Sequence, residues 1–127
     1  MTITHINPDT MHKNPAFSQG VLVEGGRTLW VGEQNGVDET GAIVEGGAYA
    51  QTAAALRQVL LVLDEVGADQ SNVVRMVVYY SKNTSLDEIF PASQDVWGNH
   101  PTTITVQQVH ALGRLDALVG IEVVASV

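Results

Sequence analysis

Residues 48–80 read AYAQTAAALRQVLLVLDEVGADQSNVVRMVVYY. Ala53, Leu56, Leu60 and Leu63 recur at steps of three and four, with Val59, Val62 and Val66 beside them, while Gln51, Arg57, Gln58, Asp64 and Glu65 gather on the other side. This pattern predicts a helix that lies on a sheet. Gly67 stands where a left-handed residue ends a helix. After the polar link Asp69-Gln70-Ser71-Asn72, the β-branched run from Val73 to Tyr80 reads as the longest strand. Val74, Met76, Val78 and Tyr80 make a wholly apolar face for the helix to cover. Val73, Arg75, Val77 and Tyr79 on the other face are also largely apolar, and a chain this small has nothing left to cover them. A second copy of the chain is the expected cover.

The 127 residues, nearly half of them apolar, suit one domain with its own core, spanning 1–127. With no cysteine, thiol catalysis and cysteine-ligated metal sites are excluded. The chain opens without a basic segment followed by an apolar stretch, which predicts a cytoplasmic protein rather than a secreted one. Its longest apolar run, Val59 to Leu63, falls far short of a membrane span. A formal charge of −8 with six scattered Lys and Arg predicts neither a nucleic-acid nor a membrane partner.

Around the central pair, Thr2 to Ile6 reads as a short edge strand ended by Asn7-Pro8. Gln19 to Glu24 and Thr28 to Glu33 read as a hairpin joined at Gly25-Gly26-Arg27. A glycine-rich, acidic loop from Asn35 to Gly47 has no phosphate-loop spacing. Ser85-Leu86-Asp87-Glu88 reads as a capping box for a second helix, with Ile89, Phe90, Ser93, Val96 and Trp97 on its buried side and Pro91 either kinking it or starting it. Thr102 to Val109 and Leu118 to Val127 are the closing strands. The last has an apolar face of Val119, Ile121, Val123, Ala125 and Val127. The expected class is α+β, a two-layer sandwich with two helices on one face of a mixed sheet.

Several pieces carry a family resemblance: Asn7-Pro8, Phe17-Ser18-Gln19-Gly20, Glu33-Gln34, Gln51-Thr52, Ala55-Leu56, Val66-Gly67-Ala68 before Val73-Val74-Arg75, His100-Pro101, and Leu118 to Glu122. Together they span almost the whole chain, which resembles the RidA/YjgF family of reactive-intermediate deaminases. The resemblance implies a chorismate-mutase-like fold assembled as a homotrimer, its sheets facing inward as a barrel with small-molecule clefts between subunits, and no cofactor. It also implies an arginine shortly after the proline of the fifth strand, to clamp a substrate carboxylate, and a glutamate in the last strand. Here Thr103 stands at the arginine position and Gly120 at the glutamate position, and no one-residue slip restores the arginine. Glu122 fits a second family glutamate, one pleat farther along the same face, about 7 Å away. The Gln107-Gln108 pair looks like one extra residue, so a bulge is expected there. Phe17 replaces a tyrosine, Phe90 an asparagine, and Gly32-Glu33 a serine-glycine pair. Such a pocket, short of a cation and richer in apolar wall, favours a neutral or cationic apolar ligand over a free carboxylate.

Glu33 and Glu122 are therefore the candidate proton-handling residues, and Phe17, Gly32, Phe90, Thr103, Thr105 and Gly120 the candidate substrate-binding positions. Each has a plainer reading. Glu33 is at a strand end, where acids are common. Glu122 would need a partner, for which Arg75 and Arg114 are available. Thr102, Thr103 and Thr105 are ordinary strand formers, and Phe17, Phe90 and Trp97 are ordinary core aromatics. His5, His12, His100 and His110 are solitary, so no metal site is expected. No serine stands in a nucleophile-elbow context. Two classes of function remain: cofactor-independent hydrolysis or tautomerisation of an enamine or imine, and a trimer that binds a ligand or protein without catalysis. A pathway-specific enzyme acting on an amine-bearing, carboxylate-free intermediate is a variant of the first.

Overall fold

The computed structural model describes all of residues 1–127. Strands β1 (Thr2–Ile6), β2 (Gly20–Glu24) and β3 (Thr28–Asn35) precede helix α1 (Gly47–Glu65). Strand β4 (Val73–Ser81), helix α2 (Leu86–Val96) and strands β5 (Thr103–Val109) and β6 (Val119–Ser126) complete the chain. β3, β6, β4 and β5 lie side by side in that order, β4 and β5 parallel and the other pairs antiparallel. Both helices share one face of this mixed sheet, so the α+β sandwich is as expected. The hairpin is not. β2 pairs with β1 in a separate two-stranded ribbon, and β3 pairs with β6. Gly25 and Gly26 do turn with positive φ, but the turn hands the chain from one sheet to the other instead of folding it back.

The core lies between α1 and the sheet. Leu56, Val59 and Leu63 are fully buried against Val119, Ile121, Val123 and Ala125, the apolar face read for the last strand. Gly67, at φ 72°, ends α1 as expected. Gln51, placed by periodicity on the solvent side, is buried instead, because its Oε1 accepts the Leu118 N–H at 2.8 Å and satisfies a loop amide from within. Gly36 makes this approach possible, since a Cβ there would run into the Gln51 backbone.

Two bulges revise the strand faces. Between Val73↔Ala125 and Arg75↔Val124, β4 carries one extra residue, so Val73 joins Met76 and Val78 in the core and Val74 leaves it. The hydroxyls of Thr102 and Thr103 then close the Val73 and Val74 carbonyls, at 2.9 and 2.6 Å. A second extra residue sits in β3 between Val31↔Val123 and Gln34↔Ile121. The bulge expected at Gln107-Gln108 is absent, since β5 runs in unbroken register with β4 from Thr103 to Val109.

α2 also departs in detail. Ser85 accepts the Asp87 amide rather than that of Glu88, and the reciprocal capping box is found at Asp69 and Asn72 instead. Pro91 sits inside the helix and does not start it. Ile89, Ala92 and Trp97 face the core, whereas Phe90 is 52% exposed.

Candidate functional site

The sheet separates the sequence-derived site residues into two groups. Phe17 and Phe90 stand on the helix side. There they wall a cavity of about 810 Å³ between α2, the segment before β2 and the strand residues Met76, Val78, Ile104 and Val106, with Ser93, Asn99 and His100 at its polar margin. Met76 pairs with Ile104 and Val78 with Val106, so the floor is one apolar ladder across β4 and β5. Strand alternation could have revealed this floor, but only once the parallel partner was known.

Glu33, Glu122, Gly120, Thr103 and Thr105 lie on the opposite, helix-free face. Gly120 pairs with Tyr79 and Glu122 with Val77, and both face away from the buried Val119, Ile121 and Val123. Glu122 therefore stands one pleat from Gly120 on one face, as the sequence spacing implied. Its hydrogen-bond partner is the Tyr79 hydroxyl, which donates to Oε1 at 3.3 Å. Arg114 is engaged elsewhere, with Asp116 and the Gly41 carbonyl. Arg75 lines a shallow groove of about 240 Å³ together with Trp30, Gly32, Val77 and Glu122. Among the strand residues of the open face it is the one cation.

Glu33 arrives through the β3 bulge. In unbroken register it would oppose Ile121 and turn toward the helices; the extra residue turns it to the open face. A Cβ built on Gly120 would come within 2.5 Å of Glu33 Cδ, 2.8 Å of Cγ and 2.9 Å of Oε1. Glu33 thus fills the space of a side chain at position 120. The Tyr79 hydroxyl beside it is held above the usual tyrosine range by burial first, then by the Glu122 charge and hydrogen bond and the Glu33 charge, with Arg75 opposing them. Tyr79 had no role in the sequence-derived site, although its place on the face of Arg75 and Val77 was legible.

Thr103 is half-buried, and its hydroxyl hydrogen is committed to the Val74 carbonyl, leaving it acceptor capacity only. Thr105 shares its face, beside Val77. No group of three or more His, Cys, Asp or Glu residues is placed to hold a metal ion, and no helix is long and apolar enough to cross a membrane.

A RutC family protein of Pyrococcus abyssi is 27% identical over 110 residues, 86% of this chain and 84% of its own length. The crystal structure of YyfB from Yersinia pestis, a protein of unknown function in the conserved Rid family, superposes with a TM-score of 0.87 over 100% of both chains at 28% identity. RidA from an Antarctic Psychrobacter matches 91% of this chain and 97% of its own with a TM-score of 0.72 at 20% identity, a likeness of fold. The sequence model of the family described as Endoribonuclease L-PSP matches residues 9–127. Covered over nearly its whole length, the chain belongs to that family, the RidA/YjgF family.

Proposed function

We propose that the chain is a cytoplasmic, one-domain RidA-like protein. It assembles as a homotrimer with the open sheet faces inward and hydrolyses an apolar enamine or imine in clefts between subunits, without a cofactor. The observation that carries this reading is the open face itself. Trp30 is 75% exposed there, on the same uncovered surface as Glu33, Tyr79 and Glu122, so a copy docked on it would cover the aromatic and dry the carboxylates together.

In the proposed reaction a water oxygen adds to the imine carbon as the C=N π pair moves to nitrogen. A carboxylate, Glu33 or Glu122, takes a water proton and delivers it to that nitrogen. The resulting amino alcohol collapses, its hydroxyl proton passing to nitrogen, and releases ammonia and a carbonyl compound. Arg75 sits beside Glu122 in the groove, and β5 offers only Thr103, Thr105 and Gln107 to the face. A substrate carboxylate would find few partners, which supports a carboxylate-free substrate. Trp30 and Val77 line the same groove as Glu122, which supports an apolar ligand body. Nucleic acid is not a partner in this reading, despite the family's name: two of the six cations, Lys13 and Arg114, are paired with Asp9 and Asp116.

The test follows the decay of a freshly generated apolar ketimine and of 2-aminoacrylate, each against a no-protein control, with the particle mass measured alongside. Faster decay of the ketimine by a particle of three chain masses is expected. Preference for 2-aminoacrylate overturns the carboxylate-free substrate, and a monomer overturns the interfacial cleft. The committed Thr103 hydroxyl favours one second reading, a trimer that binds an apolar ligand without turnover. Ligand binding with no acceleration of either substrate is its signature.

A further inference from the structure

The reaction above leaves two carboxylates as alternatives, and the geometry separates them. Of the two, only Glu122 holds a hydrogen bond within the chain, the one from Tyr79. Neither ion pair of the structure involves Glu33. Glu33 is exposed, yet its position is specific: the β3 bulge turns it to the open face and Gly120 alone leaves room beneath it. A glycine inside a strand weakens it and marks a close approach. In β6 it interrupts Val119, Ile121, Val123, Val124 and Ala125, and the approaching group is the Glu33 side chain.

We propose that Glu33 is the proton-transferring carboxylate of this site, that Gly120 is its seat, and that the Tyr79–Glu122 pair is a positioning unit fixing the polarity around it. The proposal rests on the imine-hydrolysis reading and assigns its proton step. Glu33 takes the proton from the attacking water and returns it to the departing nitrogen, so its charge is restored at the end of each turnover. Tyr79, opposite Gly120, faces it, and the other titratable groups on the same sheet face are Arg75 from β4 and Glu122 from β6. β5 contributes no titratable side chain to the face.

The experiment uses the intact protein and three variants. Glu33→Gln keeps the shape and removes the charge. Gly120→Ala keeps the charge and displaces the carboxylate, at little cost in stability because only the end of a flexible side chain has to move. Glu122→Gln removes the partner of Tyr79. Two readouts are taken: the ionisation of Tyr79, followed by its ring ¹³C resonance, and the pH profile of ketimine decay. Glu33→Gln and Gly120→Ala are expected to move the Tyr79 ionisation back toward its ordinary range and to lower kcat/KM on the order of 100-fold with loss of the acidic limb. Glu122→Gln is expected to move the Tyr79 ionisation farthest and to retain an acidic limb. An unmoved Tyr79 in both Glu33→Gln and Gly120→Ala overturns the seat. A Glu33→Gln variant with wild-type rate and profile overturns the proton role while the hydrolysis reading stands. A wild-type protein without imine turnover overturns that reading and the proton role together, and the Tyr79 titration still decides the seat.

Discussion

The two faces of the one sheet differ in what completes them. On the helix side, Leu56, Val59, Leu63, Ile121 and Val123 are sealed within the chain. On the open side a ring of the size of Trp30 is left in solvent, and two carboxylates, a tyrosine and an arginine share the surface. Under α1 the first face is closed by folding, whereas the second is left uncovered. Substitutions on the first should therefore read out as stability, and substitutions on the second as assembly and chemistry.

The sharpest break of this contrast is Leu56→Ala, which leaves a cavity in the sealed layer. A loss of about 2–5 kcal/mol is expected in urea unfolding, and a smaller loss would mean that the α1 layer collapses readily. Next comes Gln51→Ala, which strips the buried Leu118 amide of its acceptor. About 1–3 kcal/mol should be lost, with faster hydrogen exchange at Leu118 as the local signature. Trp30→Ser should barely change the unfolding of the dissociated chain and should shift the particle mass toward the monomer at micromolar concentration. An unchanged mass would take Trp30 out of the interface. The smallest effect is expected from Thr52→Val. The Thr52 hydroxyl is fully buried and has no hydrogen-bond partner, so the change should raise stability by up to about 1 kcal/mol. A measured loss would reveal a partner for the hydroxyl.

The contrast has a pH counterpart. Asp69, at the turn before β4, is held below the ordinary carboxylate value near 3.8 by the Ser71 side-chain and backbone hydrogen bonds. Its contribution to stability is therefore complete above that value and is lost as pH falls through the lowered one. Tyr79 works in the opposite sense. Its proton is held more tightly in the folded chain, so its contribution is complete below about 10.0 and is lost as pH rises through the raised value.

What was legible in the sequence followed local periodicity. The α1 stripe from Ala53 to Leu63, the Gly67 stop and the alternating face of β6 are each set within one element and stand in the structure, while Val66, read beside that stripe, is 40% exposed. What escaped depends on a neighbour. The Val73–Arg75 bulge moved Val73 into the core and Val74 out of it, and the Val31–Gln34 bulge turned Glu33 outward; neither leaves a mark in its own strand. The Gly25-Gly26 turn was legible, but which sheet received the next strand was not, because β3 takes β6 as its partner from the far end of the chain. Gln51 misled for the same reason, since a polar side chain at a buried position needs a distant amide to make sense of it. For the site, the candidate residue types were legible, but their division between two sides of the sheet and the nesting of Glu33 on Gly120 were not.

That nesting also constrains how the protein changes over evolutionary time. Positions 33 and 120 compete for one space, so the effect of an acidic residue at either depends on what the other holds. With glutamate at both, one side chain must turn out; with glycine at both, the space is left without a carboxylate. A lineage that moves the acid from one strand to the other by single substitutions passes through a double-acid or an empty intermediate. The two sites should accordingly show sign epistasis, each substitution tolerated only in the background that the other provides.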